Sequence, residues 1–395
     1  MKNKINEEKI ITVLFLSIIF SMFIMTMKNN YEEIKNNIIN ILQNSEKTKY
    51  ERILELAQKS DNIFNENVVF KSNYIDLYGL TQKIIRKNYI QDSTDRTRDV
   101  IKTKDGMLTF VQEKEDMAQK AENIAILNEK MKEYNIPLIY IQAPYKVRKN
   151  EDLPVGVVDY ANKNADMLLA ELKKDKINIL DLREIFINKN IKDEYFVTDH
   201  HWKIKTAFEA CNYITEILNK KYEFNIDDFY TNIENYECIN KEKCFLGSIG
   251  KRIGKYYGGV DDFEYILPKF TTDLKLTKNN TEIEGSFEDT IIVEELIDNE
   301  DIISNRYACY FGRDYAELKI KNNNILSNKK VLLIQDSYGL PVSAMLILRV
   351  KELRTLDLRH FEGKEIEYIK EYNPDIVLIM YNPSSFYIEE IFDFQ

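Results

Sequence analysis

Apolar residues fall along the chain in runs that switch between two periods. Met117 to Tyr134, Ala161 to Lys174, Lys205 to Leu218, Pro341 to Val350 and Lys364 to Glu371 place apolar positions at helical spacing. Between these helices lie a continuous apolar run of strand length, Ile136 to Ala143, and further short strand candidates at Ile177 to Leu182, Lys330 to Ile334, Thr355 to Leu358 and Asp375 to Met380. Strands that are apolar at every position must be buried on both faces, and helices on short links are what cover them. The pattern therefore predicts an α/β fold, a mainly parallel sheet sandwiched by helices. Its first part spans 96–221 and its second part 326–395, and a short hairpin opens it around the turn Asp105-Gly106. Over 222–325 the alternation stops. A glycine cluster, Phe245 to Gly259, and strand candidates at Thr290 to Val293 and Ala316 to Ile320 mark a β-rich insertion.

The N-terminal pattern is different. Ile10 to Met27 contains no charged residue and no polar stripe, and as a helix it would span roughly 27 Å, close to the hydrocarbon thickness of a bilayer. Residues 1–9 carry Lys2, Lys4 and Lys9, a bias that keeps them cytoplasmic and sends the remainder outward. Nothing from Met25 to Asn29 resembles a signal-peptidase site, so 10–27 reads as an uncleaved transmembrane anchor. Residues 28–95 are polar with apolar positions at helical spacing and read as stalk or packing helices.

Composition adds mainly exclusions. The chain has 395 residues and a formal charge of −10, which offers no electrostatic reason to bind nucleic acid. Four cysteines are too few for a disulfide scaffold, although a local Cys238–Cys244 bridge is possible, and no CxxC pair suggests a zinc knuckle. With only three histidines in the protein, His200, His201 and His360, any acid–base or metal chemistry has few arrangements open to it.

Two segments combine such residues. In Phe196 to Trp202 (FVTDHHW) a short apolar approach leads into Asp199, His200 and His201, and in Val331 to Gly339 (VLLIQDSYG) a buried strand runs directly into Ser337. A serine on a strand-to-helix turn lies at the carboxyl end of the sheet, where ligands of open α/β folds gather. Its hydroxyl needs a base, and imidazole with a carboxylate behind it supplies one. The arrangement points to Ser337 as nucleophile, His201 as general base and Asp199 as its orienter. Taken singly, each motif also has a structural reading, since Asp-Ser and Asp199 both suit helix caps. Asp199, His200 and His201 could alternatively begin a metal centre of phosphoesterase type, but only Asp181 offers a further ligand at an early strand end, so no metal and no cofactor are expected.

These residues resemble the DHHW family of the SGNH/GDSL hydrolase superfamily, similar to alginate O-acetyltransferase-like proteins. Thr198 to Trp202 matches the defining motif, and the resemblance extends through Ile136 to Arg148, Phe245 to Tyr257, Tyr307 to Ile320, Ile334 to Gly339 and Thr355 to Phe361. It implies a circularly permuted SGNH sheet in which the Asp-x-His pair precedes the serine, as Asp199 and His201 precede Ser337 here. It further implies an O-acetyltransferase or acetylesterase acting on a cell-surface or secreted polysaccharide, with a membrane-bound O-acyltransferase as acyl donor. Strands after the serine supply oxyanion donors in such enzymes. Asn382 fits one of these by position, and Arg359 stands in for the glycine that the other would require; Asn382 before Pro383 also suits a turn, and Arg359 an ion pair. Lys146, Arg252 and Tyr256, in post-strand or glycine-rich loops, are candidate glycan contacts, as is Trp202, which could equally pack beneath the turn. The incomplete oxyanion pattern leaves open a non-catalytic surface glycan-binding or assembly protein with a vestigial triad.

Overall fold

The computed structural model describes residues 2–43, 47–92 and 98–394, and they form two compact units, 1–78 and 79–395. The first unit is helical. The apolar run lies within the helix Lys2–Asn29, of which Glu8–Asn29 is long and apolar enough to cross a bilayer and is almost wholly exposed. Helices Tyr31–Gln43 and Lys49–Glu66 follow, the second opened by a capping box between Thr48 and Glu51. Thr26 and Asn30 tie the first helix to the segment before the next one, through Val69 N–H to Thr26 Oγ1 at 3.2 Å and Asn30 Nδ2 to Asn67 O at 3.4 Å.

The second unit carries thirteen strands among its described residues: β1 (Tyr89–Ile90), β2 (Val100–Lys102), β3 (Leu108–Thr109), β4 (Leu138–Gln142), β5 (Asn178–Asp181), β6 (Tyr236–Phe245), β7 (Asp261–Pro268), β8 (Leu274–Lys278), β9 (Thr281–Gly285), β10 (Glu317–Asn322), β11 (Lys330–Gln335), β12 (Glu352–Leu356) and β13 (Ile376–Tyr381). Eight of them form one sheet in the order β5-β4-β13-β11-β12-β10-β8-β9. From β5 to β12 neighbours are parallel, and β10, β8 and β9 extend the sheet with antiparallel pairs.

The apolar strands are buried because both faces are covered. Ile139, Ile141, Val331, Leu333, Leu378 and Met380 join one core with Ala207, Ile214 and Met345 from the helices Ile204–Tyr222 and Gly339–Leu346. Their alternates Leu138, Tyr140, Leu332, Ile334, Val377 and Ile379 join a second core with Ile124, Leu168 and Ile369 from the helices Ala118–Glu133, Ala161–Lys174 and Glu365–Tyr372. Each strand thus feeds two cores through its period of two. This is the α/β sandwich anticipated from the hydrophobic pattern.

The differences lie beyond the parallel strands. Ala316 to Ile320, read as part of an insertion, is β10 and pairs with β12 and β8, so the sheet continues through this region. Thr290 to Val293 is no strand. Ser286 caps the helix Phe287–Ile291 with Asp289 in a reciprocal capping box, and Phe287 and Ile291 turn into the core. The strand expected at Thr355 to Leu358 begins earlier, and Asp357 leaves it in a turn. Cys238 and Cys244 are both free thiols.

Candidate active site

Parallel strands end on the same edge of a sheet, so β4, β11, β12 and β13 deliver Pro144, Ser337, Arg359 and Asn382 to one rim. Ser337 stands in the turn from β11 to the helix Gly339–Leu346. That turn needs Gly339, where a Cβ would lie 2.2 Å from Gln335 Oε1. The preceding Asp336 staples the turn to the end of β13: its Oδ2 accepts from Asn382 N–H and Ser385 Oγ, both at 2.8 Å, and its Oδ1 from Tyr338 N–H at 3.0 Å. Burial pushes the Asp336 carboxyl up, against those hydrogen bonds and the Arg359 guanidinium.

The second component is the irregular loop between Tyr195 and Trp202, closed at its neck by a backbone bridge between those two residues. Asp199 Oδ1 receives the backbone N–H of His201 at 2.9 Å and lies 2.6 Å from His201 Nδ1. The opposite imidazole nitrogen, Nε2, lies 2.8 Å from Ser337 Oγ. The structure therefore joins Asp199, His201 and Ser337 in one hydrogen-bonded chain. Asp199 is deeply buried, which alone would raise its pKa, yet the His201 and His200 imidazoles and the N–H of Ser248, 2.6 Å from Oδ2, hold the carboxyl well below its usual range.

Aromatic rings enclose the imidazole. Tyr307 stacks on His201 at 3.8 Å between centroids, 10° from parallel, and the His200 ring lies 3.7 Å away on a tilted plane. His200 Nδ1 is held by Ser248 Oγ at 2.8 Å, and burial together with its neighbour His201 pushes its pKa down, against the attraction of Asp199. Tyr338, beside the serine, donates its hydroxyl to the His200 carbonyl and so joins the two components directly.

The Ser337 hydroxyl opens on a groove of ≈ 530 Å³ lined in part by His200, Arg252, Phe110, Arg359, Ser384 and Tyr387. Arg252 lies over the Phe110 ring at 4.7 Å to its centroid. Arg359 also faces the groove, with Nε and Nη2 held by Asp357 and Nη2 3.1 Å from Asp314. Of the residues expected at the substrate, Arg252 and Arg359 therefore line it.

Four others do not. Asn382 is fully buried and is not among the groove-lining residues: its Nδ2 donates to Pro144 O at 2.7 Å and its Oδ1 accepts from Ser384 N–H at 2.9 Å, contacts that hold the turn after β13. Lys146 is only 4 % exposed, and its ammonium meets the carbonyl oxygens of Leu108, Phe196, Val197 and Asp199 at 2.6, 2.6, 3.0 and 2.7 Å. Burial draws its pKa down to about 7 against the attraction of Asp261 and Asp199, while four oxygens that can only accept favour the charged ammonium. Trp202 is fully buried against Tyr338, and Tyr256 is half-exposed outside the groove lining.

Asp199, His200 and His201 offer ligand atoms within 4.8 Å of one another, as a metal centre would require. However, both ring nitrogens of His201 and one of His200 are engaged by protein groups, and Asp181, the remaining candidate ligand, is paired with Arg183. The residues that the sequence pattern did not single out are Tyr307, Tyr338, Ser248, Gly247 and Asp261. The glycine cluster was the one available signal. A Cβ on Gly247 would lie 2.3 Å from Asp199 Cβ, and one on Gly250 2.8 Å from Thr198 Cβ.

Comparison with known proteins agrees with this architecture. Residues 103–231 match the family model for the SGNH hydrolase-like domain of the acetyltransferase AlgX. None of the curated proteins matches the chain. Among solved structures, Bacillus cereus PatB1 is 24% identical with a TM-score of 0.62, covering 78% of this chain and 100% of that one. A DHHW family protein from Eubacterium siraeum is 18% identical with a TM-score of 0.55, covering 75% of this chain and 94% of that one. The resemblance read from Thr198 to Trp202 is thus borne out by a family model that takes in this motif and by a shared fold.

Proposed function

We propose that this chain is an SGNH-like serine O-acetyltransferase or acetylesterase acting on a cell-surface or secreted polysaccharide. The observation that carries the reading is the continuous chain Asp199–His201–Ser337, with contacts of 2.6 and 2.8 Å, ending on a serine that lines an open groove. In this reading Ser337 Oγ attacks an acyl carbonyl while His201 Nε2 takes its proton. Collapse of the tetrahedral intermediate expels the donor's leaving group, which receives that proton. A sugar hydroxyl, or water, then loses its proton to His201 and attacks the acyl-serine; the acyl–Oγ bond breaks, His201 returns the proton to Ser337 Oγ, and the ester or acetate is released. Asp199, ionised and buried, orients the imidazole and stabilises its charged form. The developing oxyanion needs donors, and two are candidates: the Ser337 backbone N–H, for which no described residue is an acceptor, and Arg359, which lines the same groove.

The helix spanning 10–27 acts as a single-pass anchor, with the triad on the outer side of the membrane. A membrane-bound O-acyltransferase is the acyl donor partner in this reading, since tethering both to one bilayer raises their effective concentration. The engagement of Asn382 with Pro144 and Ser384 favours the second reading, a glycan-binding or assembly protein with a vestigial triad. Assay of the full-length protein in detergent separates the two. Hydrolysis of 4-nitrophenyl acetate that vanishes in Ser337→Ala supports the enzyme; glycan binding with no turnover in the parent supports the binding protein.

A further inference from the structure

The loop that carries Asp199 and His201 has no helix or strand to satisfy its backbone, so its polar groups must find partners elsewhere. They do so by polarity. The carbonyls of Phe196, Val197 and Asp199 converge on Lys146 Nζ at 2.6, 3.0 and 2.7 Å, joined by that of Leu108 at 2.6 Å. The Thr198 carbonyl takes the N–H groups of Ile249 and Gly250 at 3.1 and 2.8 Å. Facing the other way, the N–H groups of Val197 and Thr198 and the Thr198 hydroxyl all donate to Asp261, at 2.8, 2.7 and 2.6 Å.

An ammonium has three donors and no acceptor, and its burial is costly unless every donor is matched. Around Lys146 only carbonyl oxygens do the matching; among the described residues no carboxylate lies within ion-pair distance of it. Four carbonyls around one positive charge is how a protein holds a monovalent cation, and here the cation is tethered to the chain just beyond β4. One of the four belongs to Asp199 itself, whose side chain is 2.6 Å from His201 Nδ1.

We propose that Lys146 is a positioning residue of the active site, a built-in cation that gathers the carbonyls of the loop 196–199 and thereby sets the Asp199 carboxylate against His201. The inference rests on the reading of Asp199, His201 and Ser337 as a catalytic triad. Removing the charge should misplace the triad without touching the groove, and misplacements on the order of 1 Å cost about 10²-fold in rate.

The test uses the full-length protein in detergent and 4-nitrophenyl acetate. Lys146→Met keeps the length of the side chain without its charge, and its kcat should fall about 10- to 100-fold with KM within about twofold of the parent. Lys146→Ala should regain activity with added propylammonium, which replaces the missing stem and charge, and not with equal concentrations of propanol. Parental kcat in Lys146→Met, or equal rescue by propanol, overturns the proposal. If Lys146→Met does not fold, the thermal transition of Lys146→Ala decides: stabilisation by propylammonium beyond that by propanol supports the cation role, and equal stabilisation removes it. An inactive parent chain would defeat the catalytic reading, whereas an active parent with an unimpaired Lys146→Met defeats only the role given to Lys146.

Discussion

Two pieces of backbone meet at the Ser337 hydroxyl, and they are built by different means. The serine turn is local: a buried strand, a glycine that admits the turn, and Asp336 bonded to Tyr338 and to the neighbouring strand end. The histidine loop is held from a distance, by Lys146 beyond β4, Asp261 at the start of β7 and the glycine-lined backbone at 247–250. Their carboxylates show the contrast. Both are buried, but Asp336 is bonded by backbone and hydroxyl donors and pushed up, whereas Asp199 faces imidazole and is held low. Both kinds of site bury a carboxylate, and only the one set against a titratable partner is equipped for proton transfer.

The sharpest break in this comparison is Ser337→Ala. It should lower hydrolysis of 4-nitrophenyl acetate by about 10⁴-fold or more, with thermal stability changed by no more than about 0.5 kcal/mol; a melting curve beside the rate assay checks both. Asp199→Asn should cost about 10³- to 10⁴-fold in kcat, because the imidazole loses its orienting acceptor. It also tests the charge. Since the folded-state pKa of Asp199 is depressed, its ionised form contributes stability above the ordinary carboxylate pKa of about 4, and that contribution is lost as pH falls through the lower folded value. Urea unfolding should therefore show a gap between parent and Asp199→Asn at pH 7 that narrows in acid; a gap independent of pH would mean that the carboxyl is not held low.

Gly247→Ala addresses the remote support. A methyl group 2.3 Å from Asp199 Cβ must push the loop, so we expect destabilisation of about 1–3 kcal/mol with a loss of about 10²-fold in kcat. Tyr338→Phe removes the hydroxyl bond from Tyr338 to the His200 carbonyl, which joins the two pieces beside the Ser337–His201 contact, and should cost about 1 kcal/mol in stability, read by denaturant melts. Tyr256→Ala, half-exposed outside the groove, should stay within about 0.5 kcal/mol of the parent and leave KM for a glycan acceptor unchanged.

The same division governs what could be read from the sequence. The strands β4, β11 and β13 and their covering helices were legible because an apolar run of strand length has to be covered on both faces, and the helical segments beside it are what can cover it; β5, with Asn178 and Asp181 among its apolar residues, was legible from the alternation with helices. Ser337 could be singled out because a strand running into a helix fixes where the turn residue lies. Asp199 and His201 could be named as partners, since histidine is scarce and a spacing of two allows both side chains one direction. What holds them was not legible. A lysine in a post-strand loop reads as solvated, and nothing local to Lys146 reveals that carbonyls from residues 196–199 surround it. Nor was the partner of Asn382 legible: its position after β13 suits an oxyanion donor, and Pro144, distant in the chain, accepts from its amide. The helix at Phe287–Ile291 was missed because its β-branched residues suggest a strand, and the cap at Ser286 overrides that preference.

The most direct measurement is rapid acid quenching of the full-length protein during turnover of 4-nitrophenyl acetate, followed by peptide mass spectrometry. The account predicts an acetyl group on Ser337 during turnover, absent from Ser337→Ala and strongly diminished in His201→Ala. Acetate released at the parental rate with no acetyl on Ser337, or from the Ser337→Ala chain itself, would contradict it.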